Sequence, residues 1–308
     1  MAGNKSVDVN RKWQFDVLAG EKDTVLGDGR TLLDVGASLS KLNHRQYRQG
    51  RQYEVKLTAG QSSTLNLQSG HFVNVYSLVP TWWVHGMWRQ AKKAYDAALR
   101  LEKKQLAPKM LARWADFRVH SGLINGIGGP AVPLAGQPPI LFKPNNLTSA
   151  EFNTGEFEMS AIENLDTGAQ MEFSFAPGGT ATMFSMIDEF TLTRNLSDSP
   201  DTPIAEMPYN ELNANAESED YLELQQNGNE PPYNGDAFPE YTWVRVATLG
   251  SQPFSNAPVL NTGYFPAPCG LVILDNSING TGDPVSAVRM NAEVKSGNYK
   301  GVHAPAMG

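Results

Sequence analysis

Between Arg51 and Ala59 the side chains alternate one for one: Tyr53, Val55 and Leu57 are apolar, while Gln52, Glu54, Lys56 and Thr58 are polar. A period of two places every second side chain on one face, so this stretch is a strand with one buried and one wet side. His71–Val79 is a second strand, carrying Phe72, Val73, Val75, Tyr76 and Leu78 and stopped by Pro80. Further strands are predicted at 156–163, 171–176, 182–194, 241–249, 270–275 and 285–294, the last with a slip of face near Arg289. Residues 164–168 are a hairpin-sized turn between two of them. The 28 Gly and 20 Pro suit many short strands and turns better than long helices.

The period changes once. From Val84 to Leu101 the apolar set Val84, Met87, Trp88, Ala91, Ala94, Tyr95, Ala98 and Leu101 repeats at three and four, with Arg89, Lys92, Lys93 and Arg100 between. That spacing predicts an amphipathic helix. Pro108 fits the first turn of another short helix, with Met110, Leu111, Trp114 and Phe117 on one side. Eight strands with long connections predict a mainly β fold, an eight-stranded jelly roll formed as a two-sheet sandwich, with a helical insertion at 84–120 after the second strand. In this reading 41–300 is a single jelly-roll domain and 301–308 a C-terminal tail. Residues 1–40 form an extended arm, because Trp13, Phe15, Leu18, Leu32 and Leu33 are too few for a core. The Gly- and Pro-rich stretch 122–150 is a long loop. Residues 196–240 are an acidic surface loop, of which 211–225 has helical character.

Charge is unevenly placed along a chain of net charge −7. Residues 86–120 hold nine Lys/Arg against three Asp/Glu, whereas 196–240 hold eleven Asp/Glu and no Lys or Arg. Such polarity suits a protein with two differently charged faces. The net negative charge argues against a dedicated nucleic-acid binder. Met1-Ala2-Gly3-Asn4-Lys5 leads into polar sequence without the apolar stretch of an export signal. No window approaches a membrane span, so no membrane partner is expected. The sequons at Asn146, Asn195 and Asn279 carry little weight without export. A single cysteine, Cys269, followed by Leu271-Val272-Ile273-Leu274, reads as a small buried hydrophobe in a chain that folds under reducing conditions.

Signatures of catalysis are sparse, and the chain is read as no enzyme, with no catalytic residue, metal ligand or cofactor assigned. His44, His71, His85, His120 and His303 are widely spaced, without the paired histidines of a metal-binding jelly roll. Neither a nucleophile elbow nor a phosphate-loop or dinucleotide glycine pattern is in place. Gly126-Ile127-Gly128-Gly129-Pro130 ends in Pro rather than opening a helix. Asp275-Asn276-Ser277-Ile278-Asn279-Gly280 with Asp283 has oxygen ligands for Ca²⁺ but reads more simply as a turn. Trp82, Trp83 and Trp88 are set either to stack on bases or sugars or to pin a helix to a sheet, and packing is the commoner role. Lys41, His44, Arg45, Arg48 and Arg51, interleaved with Tyr47 and Tyr53, are the candidate nucleic-acid-facing residues, since spaced cations beside aromatics grip phosphates; the same run also reads as a solvated entry to the first strand.

Two stretches carry a family likeness. Thr81-Trp82-Trp83-Val84-His85-Gly86-Met87-Trp88-Arg89-Gln90-Ala91-Lys92-Lys93-Ala94-Tyr95 is followed by Ala112-Arg113-Trp114-Ala115-Asp116-Phe117-Arg118-Val119. Together with Tyr47-Arg48-Gln49-Gly50-Arg51-Gln52-Tyr53 upstream, this resembles capsid proteins of environmental, often aquatic, circular Rep-encoding single-stranded DNA viruses, over roughly residues 45–120. The resemblance implies a jelly-roll coat subunit that assembles with itself into an icosahedral shell of about 60 copies or a multiple. It further implies a virion protein, made in the host cytoplasm or nucleus, with genomic single-stranded DNA on its inner face. Many such coats begin with an Arg-rich arm, whereas in residues 1–40 Lys and Arg do not outnumber Asp and Glu. The alternative reading is a jelly-roll carbohydrate- or receptor-binding module using Trp82, Trp83, Tyr241 and Trp243 as an aromatic platform.

Overall fold

The computed structural model describes residues 9–17, 30–59, 72–103, 116–119, 159–163, 170–175, 183–192, 242–250, 260–275 and 288–307. The chain is mainly β. One four-stranded sheet, A, has the order β1 (Lys12–Val17), β11 (Val288–Val294), β3 (Tyr53–Ala59), β9 (Asn261–Ala267). A second, B, has the order β2 (Arg30–Asp34), β10 (Leu271–Asp275), β4 (Phe72–Leu78), β8 (Trp243–Gly250). All neighbours in both sheets are antiparallel. A small third sheet joins β5 (Ala161–Glu163), β6 (Gln170–Ser174) and β7 (Met183–Ser185), and β12 (Ser296–Gly297) pairs with β13 (Gly301–Val302). Among the described residues the α-helices are α1 (Val35–Asn43), α2 (Trp82–Lys103) and α3 (Met186–Leu192), with a 3-10 turn at Pro268–Gly270.

Two hydrophobic cores explain the layering. In the first, Trp13, Phe15, Val55, Leu57, Phe265, Met290 and Ala292 of sheet A meet Leu33, Val73, Val75, Leu249, Val272 and Leu274 of sheet B, as in a β-sandwich. In the second, the opposite side of sheet B (Leu32, Tyr76, Leu78, Leu271, Ile273) is packed against Trp83, Val84, Met87 and Trp88 of α2 and against Phe173, Met186, Ile187 and Phe190. Sheet B is therefore buried on both faces, which is why Leu271-Val272-Ile273-Leu274 is continuously apolar. In sheet A, β3 and β11 alternate buried and half-buried residues, because their second face is wet. That outer face carries charge pairs in register, such as Lys12 with Glu293 at 3.3 Å.

Several expectations are corrected. The segment read as an arm supplies β1, β2 and α1. Trp13, Phe15 and Val17 alternate inward and are buried; few apolar residues suffice because partner strands complete the core. Strand β9 (Asn-Thr-Gly-Tyr-Phe-Pro-Ala) had escaped the pattern, since Gly and Pro weaken a strand reading except at a sheet edge, where it lies. The expected strand 182–194 is instead β7 followed by α3, so three of the anticipated strands belong to the small sheet region. The long helix does follow the strand expected at His71–Val79, which is β4, fourth rather than second in the chain because β1 and β2 precede it. The C-terminal tail is not peripheral: Ala304 and Met307 are buried, Gln52 N donates to Pro305 O at 3.0 Å and Met307 N to Gly50 O at 3.3 Å. Residues 108–115 of the expected short helix, the loop 122–150, the turns at 164–168 and 276–283 and the acidic segment 196–240 lie outside the described residues. Among the described residues, no helix is long and apolar enough to cross a membrane.

A core strand and a peripheral arm respond differently to truncation. Phe15→Ala is expected to cost about 3–5 kcal/mol in urea denaturation, the range for emptying a buried aromatic site. An unchanged midpoint would return β1 to the periphery.

Candidate basic site at the α1–β3 corner

The site begins with how α1 is started and stopped. Asp34, at the end of β2, is the N-cap: its Oδ1 accepts from Ala37 N at 2.8 Å. The helix ends at His44, which adopts the left-handed conformation (φ 50°) and returns its N–H to Ser40 O. Lys41 lies in the last turn, where a cation suits the negative end of the helix dipole. Two of the five sequence-predicted residues, Lys41 and His44, thus have roles in terminating the helix.

The next residues are pinned one by one. Tyr47 is buried, with its N–H on Ser40 Oγ at 2.7 Å and its hydroxyl donating to Lys300 O at 2.9 Å. Arg48 N donates to Tyr299 Oη at 3.2 Å, and Tyr53 Oη donates to Arg48 O at 2.7 Å. Gln49, fully buried, clamps residue 119: its Nε2 donates to Val119 O at 3.1 Å and its Oε1 accepts from Val119 N at 2.6 Å. Gly50 permits close approach, since a Cβ there would overlap the Trp88 ring. Arg51 stacks over Tyr299 at 4.0 Å and donates to Ala304 O at 3.2 Å.

The opposite wall is the β12–β13 hairpin, which sequence reading had passed over. Lys300, in the left-handed region at φ 49°, sends its ammonium to Gln46 O. It stands 5.6 Å from the Tyr299 ring and 5.8 Å from that of Tyr47, and the two rings meet edge to face at 6.0 Å. Burial first, and then Arg48, Arg45 and Arg51, push the Lys300 ammonium below its ordinary pKa. So Arg45, Arg48 and Arg51 gather with Lys300 in one positive field. The available signal was Gly297-Asn298-Tyr299-Lys300-Gly301, a Gly/Asn-rich turn carrying an aromatic and a cation.

Beneath this surface lies a buried polar lattice. The Arg118 guanidinium pairs with the Asp34 carboxylate, the two side chains being 4% and 0% exposed. Asp116 accepts from Gln49 N at 3.0 Å. Burial raises its pKa, against the opposing pull of that hydrogen bond and of Arg118 and Arg48. His85, half-buried, meets Gln52 at 3.1 Å, and burial and Arg89 lower its pKa. The stretches 47–53, 81–95 and 116–119 therefore interlock around one corner, through Gln49–Val119, Gln52–His85 and Gly50–Trp88.

The remaining candidates are placed as follows. Trp83 and Trp88 are buried in the second core, while Trp82 is 44% exposed beside Phe190. Cys269 is buried with its Sγ 3.4 Å from Met307 Sδ, and burial raises its thiol well above the ordinary range. Among the described residues no group of three or more His, Cys, Asp or Glu is arranged to hold a metal ion.

Breaking the buried ion pair from one side strands a charge. Asp34→Ala is expected to cost about 3–5 kcal/mol, measured by denaturant unfolding, and pairing it with Arg118→Met is expected to recover part of that loss. Strict additivity of the two losses would argue against the pair. For Asp116, a raised native pKa means the folded state binds the proton more tightly than the unfolded chain. Its ionised form is therefore a cost at neutral pH, relieved as pH falls through the raised pKa. Asp116→Asn keeps an acceptor for Gln49 N and is expected to remove this acid-side gain from a pH series of melting temperatures; an unaltered series would contradict it. In comparisons with protein-family models, curated proteins and solved structures, none matches this chain.

Proposed function

We propose that the chain is a shell-forming coat subunit with a jelly-roll fold, a virion protein that assembles with itself around a small single-stranded DNA genome. The observation that carries this reading is the nesting of strand pairs. Numbering the strands of sheets A and B from first to eighth along the chain, first pairs with eighth (β1–β11), second with seventh (β2–β10), third with sixth (β3–β9) and fourth with fifth (β4–β8). A long antiparallel hairpin wrapped into two sheets produces that nesting, the topology of jelly rolls in viral coats and lectins.

Two further features favour a coat over a carbohydrate-binding module. The three stretches that resemble capsid proteins pack on one another at the α1–β3 corner. Of the tryptophans proposed as a sugar platform, Trp83 is buried and Trp243 packs against the second core.

Expressed and purified, the protein is expected to form regular spherical particles by electron microscopy, with a matching mass by light scattering. A species that remains monomeric across salt and pH would overturn the shell reading. Glycan binding lost on Trp82→Ala would instead favour the carbohydrate module.

A further inference from the structure

We infer that Arg45, Arg48, Arg51 and Lys300 together form a phosphate-binding site, whose occupant is the phosphodiester backbone of single-stranded nucleic acid. The inference deepens the shell reading by giving the genome a point of contact, and rests on it for the source of the phosphate.

The first support is clustered positive charge outside any ion pair. Four cations from two distant segments converge in a chain of net charge −7. Among the described residues none of the four forms an ion pair: the pairs there are Lys12–Glu293, Lys92–Asp96, Arg118–Asp34 and Lys295–Glu54. The buried Asp116, which accepts from Gln49 N, attracts Lys300 and Arg48 without forming an ion pair with either. Burial is the first cause that lowers the affinity of Lys300 for its proton, and Arg48, Arg45 and Arg51 add to it, a repulsion that a bound anion would relieve.

The second support is preorganisation. The backbone of Arg48 is held by Tyr299 and Tyr53, the Arg51 guanidinium by Tyr299 and Ala304, and the Lys300 ammonium by Gln46. Cations fixed in advance lose little entropy on gripping an oxyanion, and guanidinium groups match phosphate geometry. Tyr299 is already stacked by Arg51. Phosphate contact rather than base stacking therefore supplies the binding, which makes it independent of base sequence.

The test uses the purified full-length protein and fluorescent oligothymidylate, titrated at several salt concentrations, with inorganic phosphate as a separate arm. Arg48→Gln and Lys300→Gln alter exposed side chains and keep the backbone hydrogen bonds of both residues; circular dichroism checks their folding. Each is expected to weaken oligothymidylate binding about five-fold and to lower the salt slope by about one. Lys93→Gln, on the exposed side of α2, is expected to leave both unchanged. Unaltered binding in Arg48→Gln and Lys300→Gln, or an equal loss in Lys93→Gln, would overturn the site. Tight binding of inorganic phosphate with no oligothymidylate affinity would overturn nucleic acid as the occupant. Particle formation by the same variants is scored separately: particles without oligothymidylate binding reject the site and leave the shell reading standing.

Discussion

The buried pair between Asp34 and Arg118 is the constraint on which the corner of this molecule depends. Asp34 uses one carboxylate oxygen to start α1 and the other to hold the Arg118 guanidinium, so a single side chain sets both the helix and the strap 116–119. The strap then reaches in two directions. Arg118 N donates to Ser160 Oγ at 3.0 Å and Ser160 N to Arg118 O at 2.9 Å, while Gln49 takes both polar groups of Val119. Charges so deeply buried are tolerated only when paired and hydrogen-bonded. The pairing forces the end of β2, the α1–β3 loop and the layer over sheet B into one arrangement. The cations above it inherit their positions from that arrangement.

The two sheets divide the labour. Sheet B is a filling between cores and spends its surface on α2, α3 and the small sheet. Sheet A keeps a polar outer face of mixed charge, with Lys12, Lys56 and Arg289 beside Glu54 and Glu293. Positive charge is concentrated instead at the corner where the C-terminal hairpin closes on the α1–β3 loop.

Legibility in the sequence followed burial. Strand β3 announced itself because one face is wet, and β10 because neither is, which left a continuous apolar run. The alternation of Trp13, Phe15 and Val17 is as regular, but over six residues with Lys, Gln and Asp between it looked too thin until β11 supplied the other half of the core. Met186–Leu192 misled in the opposite sense: Ile, Phe and Thr favour strands, yet Ser185 Oγ accepts from Asp188 N at 3.2 Å, and packing on α2 makes it a helix. At the site, Arg45, Arg48 and Arg51 were found from local spacing. Lys300 lies some 250 residues away in the chain, and only the tertiary fold brings it to Tyr47. Asp116 and Arg118 were visible as a motif, but their burial against Gln49 and Asp34 was not.

Nested pairing requires the first strand to lie beside the last, and a disulfide across that seam tests it most directly. Gln14 and Asn291 are register partners in β1 and β11, and the native Cys269 is buried and does not compete. With cysteine at both positions, mild oxidation is expected to give an intramolecular bond in the folded monomer and a higher denaturation midpoint than the reduced form. Crosslinks that form only between molecules, or none at all, would contradict the closed arrangement of the two sheets.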